Sequence, residues 1–260
     1  MKRHKKLVEE RRNQVLFELS VTPEIKVEEL ADRLKVSPLT IRRDLQYWED
    51  KDRITRHYGG ARLVETFQQS CNVSDIKELR KNAIAKKAAE FVDDGDTIFI
   101  NTSTTALMIL KYIKHKRVNV ITNNANAIFV QKDNLINVLL TGGELREPKE
   151  SMVGEFAYNN LSRVSANKAF IGCSGISASV GMTTAVLAEV AINEVMLRQC
   201  TGTRFVLGEG AKIGHNHSFV SSAISKIDFI ITDQSAPEDA VDALKEKGVK
   251  VVIVNVDVTS

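Results

Sequence analysis

Cysteine is scarce in this chain, with three in 260 residues: Cys71, Cys173 and Cys200. They have no metal-ligand spacing and cannot all pair with one another. No disulfide framework and no zinc site are therefore expected, and inert packing in a reducing compartment is. Long apolar runs are missing as well, since no stretch approaches the ~20 residues that cross a bilayer. The basic opening MKRHKKLVEERR is not followed by an apolar core, which argues against export and for a cytoplasmic location. A charged fraction of 27% against 43% hydrophobic is an ordinary globular balance, which excludes long disorder.

The small net charge of +3 is unevenly placed. Residues 1–62 hold 15 Lys and Arg against 11 Asp and Glu, while residues 63–260 hold 21 against 22. The positive excess lies in the first quarter, as expected of a nucleic-acid-facing segment ahead of a neutral body.

Three helical patterns fill that first quarter. One runs from about Lys5 to Leu19, with Val8, Val15, Leu16 and Leu19 as its inner face. VEELADRL follows, placing Val27, Leu30, Ala31 and Leu34 at helical spacing, and Pro23 marks the turn between the two. After Lys35-Val36, Ser37 is a good N-cap and Pro38 suits the first helical position, so a third helix is predicted from Pro38 to about Lys51. Two helices on so short a connection make a helix-turn-helix.

At 100° per residue, Ile41, Leu45 and Trp48 share the buried face of that third helix. The outward arc holds Leu39, Thr40, Arg42, Arg43, Gln46 and Tyr47. Arg, Gln and Thr reach base edges and phosphates, and early positions such as Leu39, Thr40 and Arg43 enter the major groove deepest. DRITRHYGGARL then predicts a hairpin turning at Gly59-Gly60, with Arg56, His57 and Arg62 available to the DNA backbone. The structural alternative, arginines that only solvate a surface helix, explains neither the cap nor the basic wing.

Residues 64–76 have lost the helical charge pattern and are expected to be a polar linker between domains 1–63 and 77–260. From Lys77 a helix is predicted again, with Ile84, Ala85, Ala88, Phe91 and Val92 on one side and Gly95 as its stop. Apolar runs then alternate with helical patterns: TIFI (97–100), VNVIT (118–122), INVLL (136–140), KAFIG (168–172), RFVLG (204–208), FIIT (229–232) and VKVVIVN (249–255). Continuous apolarity predicts strands buried on both faces, hence a mostly parallel α/β sheet whose ligands bind beyond the strands' carboxyl ends.

The candidate ligand residues are those that follow strands. Asn101 is succeeded by Thr102, Ser103, Thr104 and Thr105, a hydroxyl run that suits a phosphate or carboxylate. Taken alone, Ser103 or Thr104 as a plain helix cap is the simpler account. Asn123 and Asn124 end the second strand, and Gly142, Gly143 and Arg146 follow the third. Gly172-Cys173-Ser174 and Gly208-Glu209-Gly210 end two more, and Lys212 is a second cation for an anionic ligand. His215 and His217 lack a third ligand in sequence, so no metal site and no cofactor is expected.

VEELADRLKVSPLTIRRDLQYWEDKDRITRHYGGA resembles the DNA-binding signature of the DeoR family of bacterial transcription regulators, with TIRRDL and the Gly-Gly-Ala wing most specific. Asp52 stands where that family usually has Gly, and Tyr58 separates His57 from Gly59. DGDTIFI, VITNN, LLTGGELR, KAFIGCSGI and IDFIITD are similar to the family's effector domain, itself like ribose-5-phosphate isomerase. The resemblance implies a winged helix-turn-helix joined to an isomerase-like α/β domain. It implies a sugar-operon repressor, homo-oligomeric on double-stranded operator DNA, with a sugar phosphate held by the turn after the first strand. There Asn101 and Ser103 replace the family's Asp and Gly; Asn167 and Glu209 each replace an Asp. Two other functions are weighed: an isomerase-like enzyme with Glu209 as base, and a DNA-binding protein whose body only oligomerises.

Overall fold

The computed structural model describes residues 11–256 apart from 13, 14, 16, 17, 20–24, 35, 58, 59 and 148, and not the side chains of 63 and 65–76. Expectations for Val8, Leu16, Pro23, Lys35, Tyr58 and Gly59, and for the Cys71 side chain, lie outside the described residues. The described residues divide into two compact units, up to residue 77 and from 78 to 256.

In the first unit a two-residue strand β1 (Ile25–Lys26) leads into the helix Val27–Leu34, then the helix Pro38–Glu49, then the hairpin β2 (Ile54–His57) and β3 (Gly60–Leu63). Ser37 caps the second of these helices, its hydroxyl accepting from the Thr40 N–H at 3.2 Å. The helix closes with Arg53 N–H to the Trp48 carbonyl at 3.0 Å and Asp52 N–H to that of Glu49 at 2.9 Å. This Schellman closure puts Asp52 at φ 55, the left-handed position where glycine is usual. β3 lies between β1 and β2, and a side chain at Gly60 would meet the Ile25 carbonyl oxygen at 2.5 Å. Val15, Leu19, Val27, Leu30, Ile41, Leu45 and Ile54 form the core, with Trp48 half-buried beside it.

The expected linker is helical. Residues 64–76 fall almost wholly within a 25-residue helix, Glu65–Ala89, because no glycine or proline breaks the run. That helix also ends earlier than Gly95. Three tight turns at Glu90, Phe91 and Val92 finish it, and Gly95 (φ 87) instead turns the chain toward the sheet.

The second unit is built on seven parallel strands. In chain order come β4 (Thr97–Ile100), β5 (Val118–Thr122), β6 (Ile136–Leu140), the hairpin β7 (Glu144–Arg146) and β8 (Ser151–Val153), and β9 (Ala166–Gly172). Then follow β10 (Gly175–Ser177), β11 (Gly181–Thr184), β12 (Cys200–Leu207), β13 (Phe219–Ser222), β14 (Phe229–Asp233) and β15 (Lys250–Val254). The main sheet has the order β15-β14-β12-β9-β4-β5-β6, all parallel, and β10, β11 and β13 form a small antiparallel sheet. All seven apolar runs are strands of the main sheet.

Both faces are covered, as continuous apolarity demands. Ile98, Ile100, Val120, Phe170 and Phe205 pack on one side with Ile84, Ala85 and Ala88. Phe99, Ala169, Ile171 and Val206 pack on the other with Leu161, Ile192 and Val195. From β4 the chain moves outward through β5 and β6, then returns to the opposite side of β4 and moves outward through β9, β12, β14 and β15. The sheet order therefore reverses between β4 and β9, the place where open α/β sheets leave a crevice at their carboxyl ends.

Candidate nucleic-acid interface and ligand site

On the helix Pro38–Glu49 the periodicity holds: Ile41 and Leu45 are buried, while Leu39 (58% exposed), Arg42, Arg43 and Gln46 face out. The arginines differ in their surroundings. Arg42 lies 3.8 Å from Glu28, both well exposed, an interaction of little energy. Arg56 of β2 donates to Glu49 at 2.7 Å and to the Gln46 amide oxygen at 2.5 Å, and Gln46 donates to Asp50 at 2.8 Å. The wing is thus tied to the helix through residues that also face outward. Thr40 and Tyr47 are half-buried. The Thr40 hydroxyl shares a hydrogen bond with Ser37 at 2.9 Å, and the Arg12 guanidinium lies 3.7 Å over the Tyr47 ring. His57 is exposed on β2 beside Gly60.

One residue on the buried side of this helix is charged. Asp44 directly follows the exposed Arg42-Arg43 pair, yet it is buried, accepting from Arg11 at 2.6 and 3.1 Å and from Arg12 at 3.2 Å. Trp48 donates its indole N–H to the Arg12 carbonyl at 2.8 Å. A buried acid is tolerated only because the guanidiniums meet both of its oxygens. The sequence signal was the adjacent pair Arg11-Arg12.

In the second unit, parallel strands bring every strand-end motif to one edge. Asn101, after β4, is buried and uses both ends of its amide. It donates to the Gly172 carbonyl and to Asn193 Oδ1, each at 2.9 Å, and accepts from the Gly172 N–H at 2.9 Å and the Ser103 N–H at 3.2 Å. It thereby clips β4 to β9 at the point of reversal, a task that needs donor and acceptor together and so suits Asn better than Asp. A side chain at Gly172 would lie 2.0 Å from Ser103 Oγ. Ser103 itself caps the short helix Thr104–Leu107, accepting from Ala106 N–H at 3.3 Å. Thr104 is exposed there and Thr105 buried.

Thr102 accepts from the Asn123 amide at 2.8 Å, and that amide also donates to the Met152 carbonyl at 3.0 Å. Gly142 (φ 66) and Gly143 (φ 115) turn the chain after β6, and Arg146 lies half-buried on β7. Lys212 is committed to Glu209 at 2.8 Å. Burial raises the Glu209 carboxyl, but Lys212 outweighs it and holds the group below the usual carboxylate range. Burial likewise pushes the neighbouring Cys173 thiol up to about 11, an inert form. Asn167 lies at the opposite, amino edge of the sheet, where it binds Thr97 N–H at 2.7 Å.

Comparison with known proteins adds the decisive observation. Residues 76–234 match the family model described as the DeoR C terminal sensor domain, and residues 11–67 the DeoR-like helix-turn-helix domain. The chain belongs to the DeoR family of transcriptional regulators. Similar members include the HTH-type regulator YulB of Bacillus subtilis, 30% identical over 95% of this chain and 97% of that protein. The glycerol-3-phosphate regulon repressor of Escherichia coli is 30% identical over 85% and 89%. The lactose phosphotransferase system repressor of Staphylococcus epidermidis is 30% identical over 81% and 86%. Among solved structures, ribose 5-phosphate isomerase A from Methanocaldococcus jannaschii aligns over 52% of this chain and 54% of its own, at 16% identity and a TM-score of 0.37. Likeness at that level says nothing of chemistry.

As a DeoR-family regulator the chain carries its helix-turn-helix and its sensor domain in separate units. Thr102 and Asn123 are brought into direct contact at the crevice, with Ser103 beside them. The structure also places three residues there that strand-end reasoning missed. Lys149 comes from the β7–β8 turn, Ser151 from the start of β8 and Glu189 from the segment before the helix Val190–Arg198, none of which carries a motif. Among the described residues no cluster of His, Cys, Asp and Glu could hold a metal, and no helix is long and apolar enough to cross a membrane.

Proposed function

We propose that this protein represses a sugar-utilisation operon, and that a phosphorylated sugar bound at the carboxyl ends of β4, β5 and β9 sets its hold on operator DNA. The observation that carries the reading is the union, in one DeoR-family chain, of an exposed Leu39-Arg42-Arg43 helix face with a sensor domain. Relatives whose names specify glycerol 3-phosphate and lactose phosphotransferase regulons support the ligand class. Leu39, Thr40, Arg43 and Gln46 read base edges; Ser37, Arg42, Tyr47, Arg56 and His57 hold the phosphate backbone. The hydroxyls of Thr102 to Thr105 and the turn at Gly142-Gly143 receive the ligand, with Arg146 and Lys212 supplying positive charge. Relatives named as repressors favour regulation over isomerase chemistry.

The protein acts as a homo-oligomer, since one small head binds DNA weakly and paired heads read repeated half-sites. Exposed Leu139 and Leu140 on the edge strand β6, with Phe129 and Phe156, support an interface on this unit. Fluorescence anisotropy with DNA upstream of its own and neighbouring genes tests the reading. Arg43→Ala should cost about 1–3 kcal/mol on the preferred sequence and relax that preference. A sugar phosphate should move the affinity by roughly 5- to 150-fold. Failure to prefer any upstream sequence over random DNA would remove the repressor assignment.

A further inference from the structure

Besides the Glu209 carboxylate, which has Lys212 Nζ at 2.8 Å, three buried oxygens around the crevice have no hydrogen-bond partner among the described residues: Asn123 Oδ1, Ser151 Oγ and Glu189 Oε1. The three residues are only 1%, 0% and 9% exposed. The orientation of Asn123 is fixed, because its nitrogen donates to the Met152 carbonyl, which can only accept. The amide oxygen is therefore the free end. Ser151 stands opposite Asn124 across an antiparallel bridge, one residue before that carbonyl.

Glu189 approaches from the other side of β4. It lies four residues before Asn193, on the helix face whose side chain accepts from Asn101. Its Oε2 accepts from the Thr184 hydroxyl at 2.8 Å, and that hydroxyl accepts from Val186 N–H at 3.2 Å. Lys149, two residues before Ser151, brings Nζ to 3.9 Å from Oε1, beyond hydrogen-bond reach. The carboxylate is thus held by one oxygen, with the other turned toward the β7–β8 turn.

An unmet buried acceptor is costly, most of all on a carboxylate, and such groups persist where a ligand satisfies them. The amide and carboxylate oxygens of Asn123 and Glu189 repel phosphate oxygens and take donors, while the Ser151 hydroxyl can serve either way. We propose that Glu189, with Asn123 and Ser151, forms the donor-reading half of the ligand site, and that Glu189 sets its specificity. The ligand is an anion that also carries hydroxyl groups, its phosphate on the Thr102–Thr105 side and its hydroxyls on the Glu189 side. This rests on the sugar-phosphate reading above and assigns the residue that recognises the sugar itself. Thr184 is a positioning residue that aims the carboxylate.

Calorimetric titration of the full chain tests this, using inorganic phosphate and a panel of pentose and hexose phosphates with their monodeoxy analogues. At least one sugar phosphate is expected to bind far more tightly than inorganic phosphate. Glu189→Gln should weaken that sugar phosphate about 10- to 100-fold, the span of a hydrogen bond to a charged group, without weakening inorganic phosphate. The variant should also discriminate less against a deoxy analogue. Thr184→Val should show a smaller loss of the same pattern, and it carries the test if thermal melts show Glu189→Gln unfolded. Equal loss for phosphate and sugar phosphate, or no loss, would overturn the assignment and leave the sugar-phosphate reading standing. Wild-type protein that binds no sugar phosphate of the panel would bring down both.

Discussion

Asp44 shows how one residue can serve two ends. Flanked by Arg43 on the exposed face and Leu45 in the core, it is buried against Arg11 and Arg12, which keep about a quarter of their side chains exposed. Truncating it to Ala leaves two guanidiniums without their acid and loosens the recognition helix from the segment before it. The expected cost is about 3 kcal/mol, the low end for breaking a buried pair, because water still reaches both arginines. The chain's one tryptophan, Trp48, lies on the same helix, so a urea titration followed by its fluorescence reports this unit. Its midpoint should fall in Asp44→Ala while the circular dichroism transition of the second unit stays in place. Asp52 is a quieter case: the position needs a left-handed backbone, and Asp adopts it at less cost than most side chains.

At the scale of elements, the crevice depends on how closely β9 meets the turn after β4. Gly172 is the contact point, and a methyl group there would fall 2.0 Å from Ser103 Oγ and 2.1 Å from Ser103 Cβ. Ser103 cannot swing aside without giving up the cap of the helix Thr104–Leu107, so the turn must move. Gly172→Ala should therefore destabilise the second unit by about 1–3 kcal/mol, as overpacking does, and lower its thermal midpoint. The same displacement would carry Thr102 from Asn123, so ligand-induced stabilisation should shrink as well. The short strands that frame the crevice behave differently from the long ones. β7, β8, β10 and β11 hold three or four residues each, and pairing rather than propensity sustains them.

Across the whole molecule, charge is spent on holding the amino edge of the sheet as well as on DNA. Lys168 reaches Asp93 at 2.6 Å and Asp96 at 2.7 Å, and Arg117 reaches Asp94 at 2.7 Å. Hydrogen bonds from the Arg117 side chain and backbone N–H hold the Asp94 carboxyl down at about 2. A carboxyl lowered on folding stabilises fully above its unfolded value, about 3.9, and loses that contribution as pH falls through the folded one. Thermal midpoints measured between pH 5 and 2 should therefore decline less steeply in Asp94→Asn than in the wild type. Because this edge is opposite the crevice, the substitution should leave sugar-phosphate binding at neutral pH unchanged.

The recognition helix was legible in residues 37–49 because cap, proline and apolar spacing act within a few positions of one another. The seven main strands were legible for a related reason: a strand covered on both faces must be apolar throughout. Residues 64–76 were misleading, since a polar run without glycine or proline continues a helix as readily as it forms a linker. Local sequence thus determined the elements, the fold class and the outward arginines. Only the tertiary structure decided that Asp44 meets Arg11 and Arg12, that Asn101 clips β4 to β9, and that Glu189 and Ser151 meet at the same crevice as Asn123. Those relations join residues 28 to 92 positions apart, and no local preference encodes them. Those in the second unit arise when the sheet order reverses between β4 and β9 and brings distant strand ends to a single edge.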